Sequence, residues 1–393
     1  MKTGISESLH RDRQAMIDLT SDLIAIASEN PPGNCYDDAL ERITRQLRQL
    51  GFESTRRGQC LLASVGDCDE HVLYFSGHYD VVPAQDTAQF KPAIKGTNLF
   101  GRGSSDMKSG LAAMIYAAKA VREAGRKLNG KIGLVFVPDE ETAGPLGSRL
   151  LHAEGLLGKN GIGMLTPEPT GGVVWNANRG AITARITLRG KPAHVGRQFE
   201  GINAFERMLT VAARLASFKC EVERGATSFE LQPQLARHSI LLLGGQSGGG
   251  TNFNVVPEWC WFTVDRRINP EEDFETEKAR LLSVIAEASR EFGGAEVDVL
   301  QEGRSAGTPA DAPLGTALAG NIKRVTGSFP RFELCPGLLE TRFYAAQGIP
   351  AYAYGPGLLT VSHGPNEFVP LDNILACARV YALTALDILG ATR

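Results

Sequence analysis

VLYFSGHYD, residues 72–80, decides how the first half of this 393-residue chain is read. Its opening, Val72 to Phe75, is a continuous apolar run, which belongs to a strand covered on both faces. Its end carries His78 and, two residues later, Asp80. Downstream, after a glycine-rich turn, Leu111, Met114, Ile115, Ala118 and Val121 fall on one helical face, and Ile132 to Val137 is a second continuous apolar run. Strand, helix, strand predicts a parallel βαβ unit. Ile162 to Leu165 predicts one more strand before the Pro167-Glu168-Pro169 turn. Upstream, Leu40, Ile43, Leu47 and Leu50 recur at helical spacing and stop at Gly51, which predicts an amphipathic helix closed by glycine.

Further along, the pattern changes. Ile182, Ala184, Ile186 and Leu188 alternate with Thr183, Arg185, Thr187 and Arg189, so this strand has one wet face. A helix from about Ile202 to Phe218, strands near Ile240 to Leu243 and Trp259 to Val264, and a helix after Pro270 make an α+β segment. Ala351 to Tyr354 and a helix beginning near Ile374 return to the earlier style. The fold class expected is α/β with a mostly parallel sheet, interrupted by an inserted α+β domain.

A chain that is 43% hydrophobic and 22% charged can bury a large core, and its formal net charge of −3 offers no basic field for nucleic acid. The apolar stretch Met16 to Ser28 contains Asp18 and Asp22, so it reads as a helix that is neither a secretion signal nor a membrane span; the cytoplasm is the expected compartment. Seven scattered cysteines with no CxxC pair read as reduced thiols.

The chemistry gathers where apolar strands end, since ligands of open α/β sheets collect beyond the strand carboxyl ends. His78 and Asp80 follow the first strand, Asp106 opens the next helix, and Asp139-Glu140-Glu141 follows the second strand. Glu168 follows the third, and His363 in Ser362-His363-Gly364-Pro365-Asn366-Glu367 arrives from far down the chain. Acids crowded at one rim repel each other and call for a divalent cation. Zinc accepts imidazole nitrogen and carboxylate oxygen, cobalt and manganese accept the same donors, and one carboxylate can bridge two ions. An acid beside a ligand can then act as general base.

In this order these residues resemble the zinc aminoacylases and exopeptidases that include acetylornithine deacetylase, succinyl-diaminopimelate desuccinylase and glutamate carboxypeptidase. The resemblance spans nearly the whole chain. It implies that His78 and Glu168 ligate one zinc, Glu141 and His363 the other, and that Asp106 bridges them. It makes Glu140 the catalytic base and acid and Asp80 the partner of His78. It also implies catalytic segments at 1–178 and 300–393 and a lid and dimerisation domain at 179–299. In that lid, His194 would reach the partner subunit's active site and polarise the scissile carbonyl. Asn254, Arg267 and Arg342 match positions that bind the substrate carboxylate, for which an arginine fork is suited.

The chain departs from the family at Leu338-Leu339-Glu340-Thr341-Arg342, where many members read Gly-Thr-Asp-x-Arg, and at Arg197-Gln198-Phe199, where a proline-containing stretch often stands. Both changes bear on the substrate. Glu168, rather than Asp, points to the deacylase and carboxypeptidase branches over the dipeptidases. Arg342 has two candidate acidic neighbours, Glu340 and Glu367. Two competing motifs fail. Gly245-Gln246-Ser247-Gly248-Gly249 matches a serine-nucleophile elbow, but no helix follows it, and it reads as a flexible loop. Gly101-Arg102-Gly103 begins a dinucleotide fingerprint whose third glycine position holds Asp106. The expectation is a homodimeric two-metal amidohydrolase acting on a small N-acyl amino acid or related amide, with an exopeptidase as the alternative and a silent scaffold disfavoured by the intact set of site residues.

Overall fold

Strand Val72–His78 is buried along its whole length and runs parallel to Lys131–Val137 on one side and Gly161–Thr166 on the other. Ala351–Ala353 adds a fourth parallel strand beside Gly161–Thr166. The structure is a computed structural model that describes residues 2–390. The apolar run is continuous because its alternate residues serve two cores. Leu73 and Phe75 pack with helices Ser109–Glu123 and Leu371–Leu389, while Val72 and Tyr74 pack with Val135, Met164, Leu151 and Tyr344. Helix Ser109–Glu123 is buried almost all round, as a crossover helix under a second helix layer must be.

Antiparallel strands flank this parallel centre, making the sheet mixed. Cys60–Val65 pairs with Lys131–Val137 and carries Ser54–Arg57 at the edge; Val174–Asn178 pairs with Ala351–Ala353. A separate small sheet joins Ala93–Lys95, Asn98–Phe100 and Phe368–Pro370, bringing two segments far apart in sequence side by side.

The stretch Met16 to Ser28 is helical only as far as Ile24, in a helix spanning Arg13–Ile24 behind a first helix, Lys2–Arg11. The reason lies in the chain's next task. Buried Lys108 donates to the carbonyls of Leu23 and Ile26 at the helix C-terminus, where a cation is favoured, and Ser28 Oγ donates to Tyr79 O, drawing the backbone to the end of strand Val72–His78.

The chain separates into two compact units. One holds the residues up to Ala177, Gly307–Glu333 and those from Leu339 onward; the other holds Asn178–Ala306 and Leu334–Leu338. The second unit is an antiparallel sheet in the order Ile240–Gly249, Trp259–Ile268, Gly180–Arg189, Glu296–Gly303. Ile182, Ala184, Ile186 and Leu188 pack with Val211, Leu215 and Phe218 of helix Ala204–Val222 and with Leu281 and Ile285 of helix Phe274–Ser289.

The segment Gly245–Gly249 is not the flexible loop read from its glycines. After an irregularity at Leu243 to Ser247 it continues the edge strand, pairing Ser247 with Phe262, Gly248 with Trp261 and Gly249 with Cys260. Glycine is needed there for approach rather than flexibility: a Cβ on Gly249 would lie 2.5 Å from Cys260 Sγ. No described helix is long and apolar enough to cross a membrane.

Candidate metal centre

His78 ends its strand with its ring wholly buried. Nδ1 donates to the Asp80 carbonyl at 3.0 Å and lies 3.4 Å from the Asp80 carboxylate, which leaves Nε2 as the free lone pair of the neutral ring. Nε2 stands 3.2 Å from Asp106 Oδ1 and 4.0 Å from both Glu168 Oε2 and Glu140 Oε2. Asp106, in the tight turn Ser104–Lys108 before helix Ser109–Glu123, turns Oδ2 to His363 Nε2 at 3.3 Å; that nitrogen is also 3.2 Å from Glu141 Oε2. Asp106 therefore belongs to two donor groups, His78–Asp106–Glu168 and Asp106–Glu141–His363, within each of which the ligand atoms lie within 4.8 Å of one another.

A cation fits this arrangement. His78 Nε2 and Asp106 Oδ1 are both buried and face each other, yet neither has a hydrogen-bond partner. Two groups that strong stay buried together only if something else satisfies them. The donors, imidazole nitrogen and carboxylate oxygen, are those zinc takes.

The burial and charge of these groups point the same way. Burial pushes Glu140 well above the usual carboxylate range, and the nearby acids Glu168 and Glu141 add to it, against a pull from His78. Burial likewise lifts Glu141, and it lifts Glu168 to about 8. Asp106 goes the other way: burial would raise it, but the imidazoles of His363 and His78 beside it hold it below its ordinary value. Hydrogen bonding to Asp106 and Glu141 lifts His363 to about 10. For His78, burial opposes the charge, and Asp106 and Asp80 overcome it. Without a metal, protons are what hold these acids together.

Several residues that the sequence reading passed over build the frame. The Asp80 carboxylate accepts from the Glu140 and Glu141 amides at 3.3 Å each and from Asn30 Nδ2 at 3.0 Å, tying the two strand ends together. Asp139, with φ +63°, accepts from Tyr36 Oη at 2.8 Å and from the Leu146 amide at 3.0 Å. Asp139 was visible as the first of three consecutive acids; Asn30 and Tyr36 carry no local signal.

Gly355 positions Glu168 by having no side chain. A Cβ there would lie 2.2 Å from Pro167 O and 2.3 Å from Glu168 O, both of them backbone atoms that cannot swing aside. Gly355→Ala is expected to destabilise the protein by about 1–3 kcal/mol, the usual range for overpacking, seen as a lower denaturant midpoint. An unchanged midpoint would remove this role.

Among the other expected site residues, Arg342 is buried in helix Thr341–Ala345. Its Nη1 donates to Leu339 O at 2.8 Å, and of the two acids considered for it, Glu340 is the partner, at 3.3 Å; Glu367 pairs with Arg102 instead. His194, Asn254 and Arg267 belong to the second unit. His194 is exposed, and its Nδ1 accepts from the Gly196 amide, so Nε2 carries the proton of the neutral ring and is a donor. Asn254 is half-buried, with its carbonyl taken by the Val195 amide. The Arg267 fork is held by Asp265 through Nε at 2.7 Å and Nη2 at 2.9 Å.

Comparison with known proteins agrees with this picture. Residues 74–387 match the profile of peptidase family M20/M25/M40. Succinyl-diaminopimelate desuccinylase of Gluconacetobacter diazotrophicus is 30% identical over 393 aligned residues, covering 95% of this chain and 96% of that one. Among solved structures, the M20 family metallo-carboxypeptidase Sso-CP2 from Sulfolobus solfataricus superposes with a TM-score of 0.80 at 17% identity, covering 95% of this chain and 99% of its own. Bacillus subtilis YXEP, described as a dinuclear metal binding peptidase from the same family, gives 0.71 at 16% identity, covering 97% of this chain and 99% of its own.

Proposed function

This chain belongs to peptidase family M20/M25/M40, a family of amide-bond hydrolases, and from that premise we propose that it holds two divalent cations and removes the acyl group of a small N-acyl amino acid or a related amide. The observation that carries the proposal is Asp106 standing in both donor groups with Glu140 beside them. His78 and Glu168 would hold one cation and Glu141 and His363 the other, with Asp106 shared between them. Zinc is the proposed metal, with cobalt and manganese as substitutes for the same donors.

When bound, the pair of cations polarises the amide carbonyl and acidifies the attacking water. Glu140 takes the proton of that water and returns it to the leaving amine nitrogen. Asp80 fixes the ring of His78. His194 is the proposed donor to the scissile carbonyl, and Asn254, Arg267 and Arg342 are the proposed grips on the substrate carboxylate. Arg267 and Arg342 each face an acid already, so a substrate carboxylate has to displace or share it. A homodimer through the second unit is part of the proposal. Its support is an edge strand with Leu242 exposed and a helix with Phe205 and Leu209 exposed in that unit. Seven free cysteines support a reducing compartment, the cytoplasm.

The first test is turnover of N-acetyl, N-formyl and N-succinyl amino acids beside simple dipeptides, by zinc- or cobalt-loaded protein against a chelated control. Chelator-sensitive release of one acyl group is the expected result. Faster cleavage of peptides would make the chain an exopeptidase, and silence on every amide would overturn the proposal.

Metal uptake is also expected to release protons. At pH 7 the metal-free protein carries a proton on His363, whose pKa is raised to about 10, and the acids around His78 push that ring in the same direction. A cation takes the lone pair that holds the proton, so loading expels one from the His363 ring, and apparent affinity rises with pH towards about 10. A weakly buffered solution should acidify on adding zinc. No acidification would remove His363 from the ligand set.

A further inference from the structure

We propose that Arg102 and Glu367 form a buried positioning clasp that sets Asp106 and His363 at their mutual distance, and so tunes the cation position these two share with Glu141. The proposal rests on the reading of Asp106 and His363 as ligands. Arg102 is 1% exposed and Glu367 2%, and neither touches the reacting atoms; they act through the backbone. Glu367 Oε1 accepts from the amides of Ser105 at 2.9 Å and Asp106 at 3.0 Å, while Oε2 pairs with Arg102 Nη1. Arg102 Nη2 donates in turn to the carbonyl of His363 at 3.2 Å. One ion pair thus grips the main chain of both ligands, one end on the amide of Asp106 and the other on the carbonyl of His363.

Two features show why such a clasp is needed. His78 has a carboxylate and a carbonyl against its Nδ1, but the side chain of His363 is 50% exposed, and its backbone sits at φ +63°, uncommon for a residue with a Cβ. Its ring direction therefore depends on what holds its main chain. Gln85 Nε2 adds a second donor to the same carbonyl at 3.0 Å and is itself linked to Arg102 Nη2 at 3.1 Å, while Gln89 Nε2 donates to Gly364 O at 3.0 Å. The small sheet supplies the frame. It pairs Phe100 with Phe368 and Leu99 with Val369, and the Gly101 amide donates to Glu367 O at 3.0 Å, so Arg102 and Glu367 meet although 265 positions separate them.

The test is cobalt titration of the metal-free protein, following stoichiometry, affinity and the visible absorption of each equivalent, with thermal unfolding as the fold control. Arg102→Met is expected to weaken one of the two equivalents by about 10- to 100-fold, the usual effect of losing a group that orients a ligand, and to change its absorption band. Glu367→Gln keeps an oxygen for the Ser105 and Asp106 amides and should retain more affinity than Glu367→Ala, an order that simple loss of stability would not produce. Because a buried unpaired charge can prevent folding, exposed Gln85→Ala serves as the mild variant, weakening the same equivalent by a smaller factor. Folded variants that bind both equivalents with native affinity and spectrum overturn the clasp. A wild-type protein that takes up no cobalt overturns instead the metal-centre reading beneath it.

Discussion

Asp106→Ala is expected to abolish uptake of both cations and reduce activity to that of the chelated protein. Asp106 is the single residue common to the two donor groups, with one oxygen 3.2 Å from His78 Nε2 and the other 3.3 Å from His363 Nε2. Losing any other ligand leaves one group intact; losing this one cuts both. It also removes the counter-charge that keeps two imidazoles protonated in the metal-free protein, so both should titrate lower than in the wild type. Metal content by atomic absorption, turnover, and the histidine titration followed by NMR check the three parts. A variant that still binds two equivalents would show that Asp106 is not the bridge.

Glu140→Ala separates chemistry from metal binding. Glu140 lies outside both donor groups, its carboxylate 4.0 Å from His78 Nε2, yet it adjoins Glu141 in the same turn, held there by the Asp80 carboxylate on its amide. Loss of a general acid and base costs about 10²- to 10⁴-fold, so kcat should fall by that factor while two cations remain bound. The change should appear in kcat more than in KM, because proton transfer matters in the transition state and little in binding. Full activity in this variant would take Glu140 out of the mechanism, and loss of metal would make it a ligand.

His78, Glu140, Glu141 and Glu168 were legible because strand ends are legible. A run such as Val72 to Phe75 or Ile132 to Val137 announces a buried strand, and the acid or histidine just beyond it stands at the sheet's carboxyl edge. The flanking strands were not legible: Cys60–Val65 is of mixed burial and Ser54–Arg57 is largely exposed, so neither carries a clear period. The glycines at Gly245–Gly249 misled for a related reason. Composition reports freedom of the backbone, whereas a strand uses glycine there to let Cys260 and Trp261 come close.

What the chain's local order determined by itself was the parallel centre of the sheet, the helices that cover it and the acids and histidine that stand just beyond its strands, since periodicity and strand ends are properties of consecutive residues. Tertiary structure alone decided that Asp106 faces both histidines, that Asp80 binds the Glu140 and Glu141 amides, that Asn30 and Tyr36 brace the two strand ends, and that Arg102 meets Glu367. Those contacts join residues as many as 265 positions apart. Each is paid for by burial elsewhere in the core and leaves no pattern in the neighbouring sequence, because a hydrogen bond or ion pair requires only that two groups meet, whatever residues lie beside them.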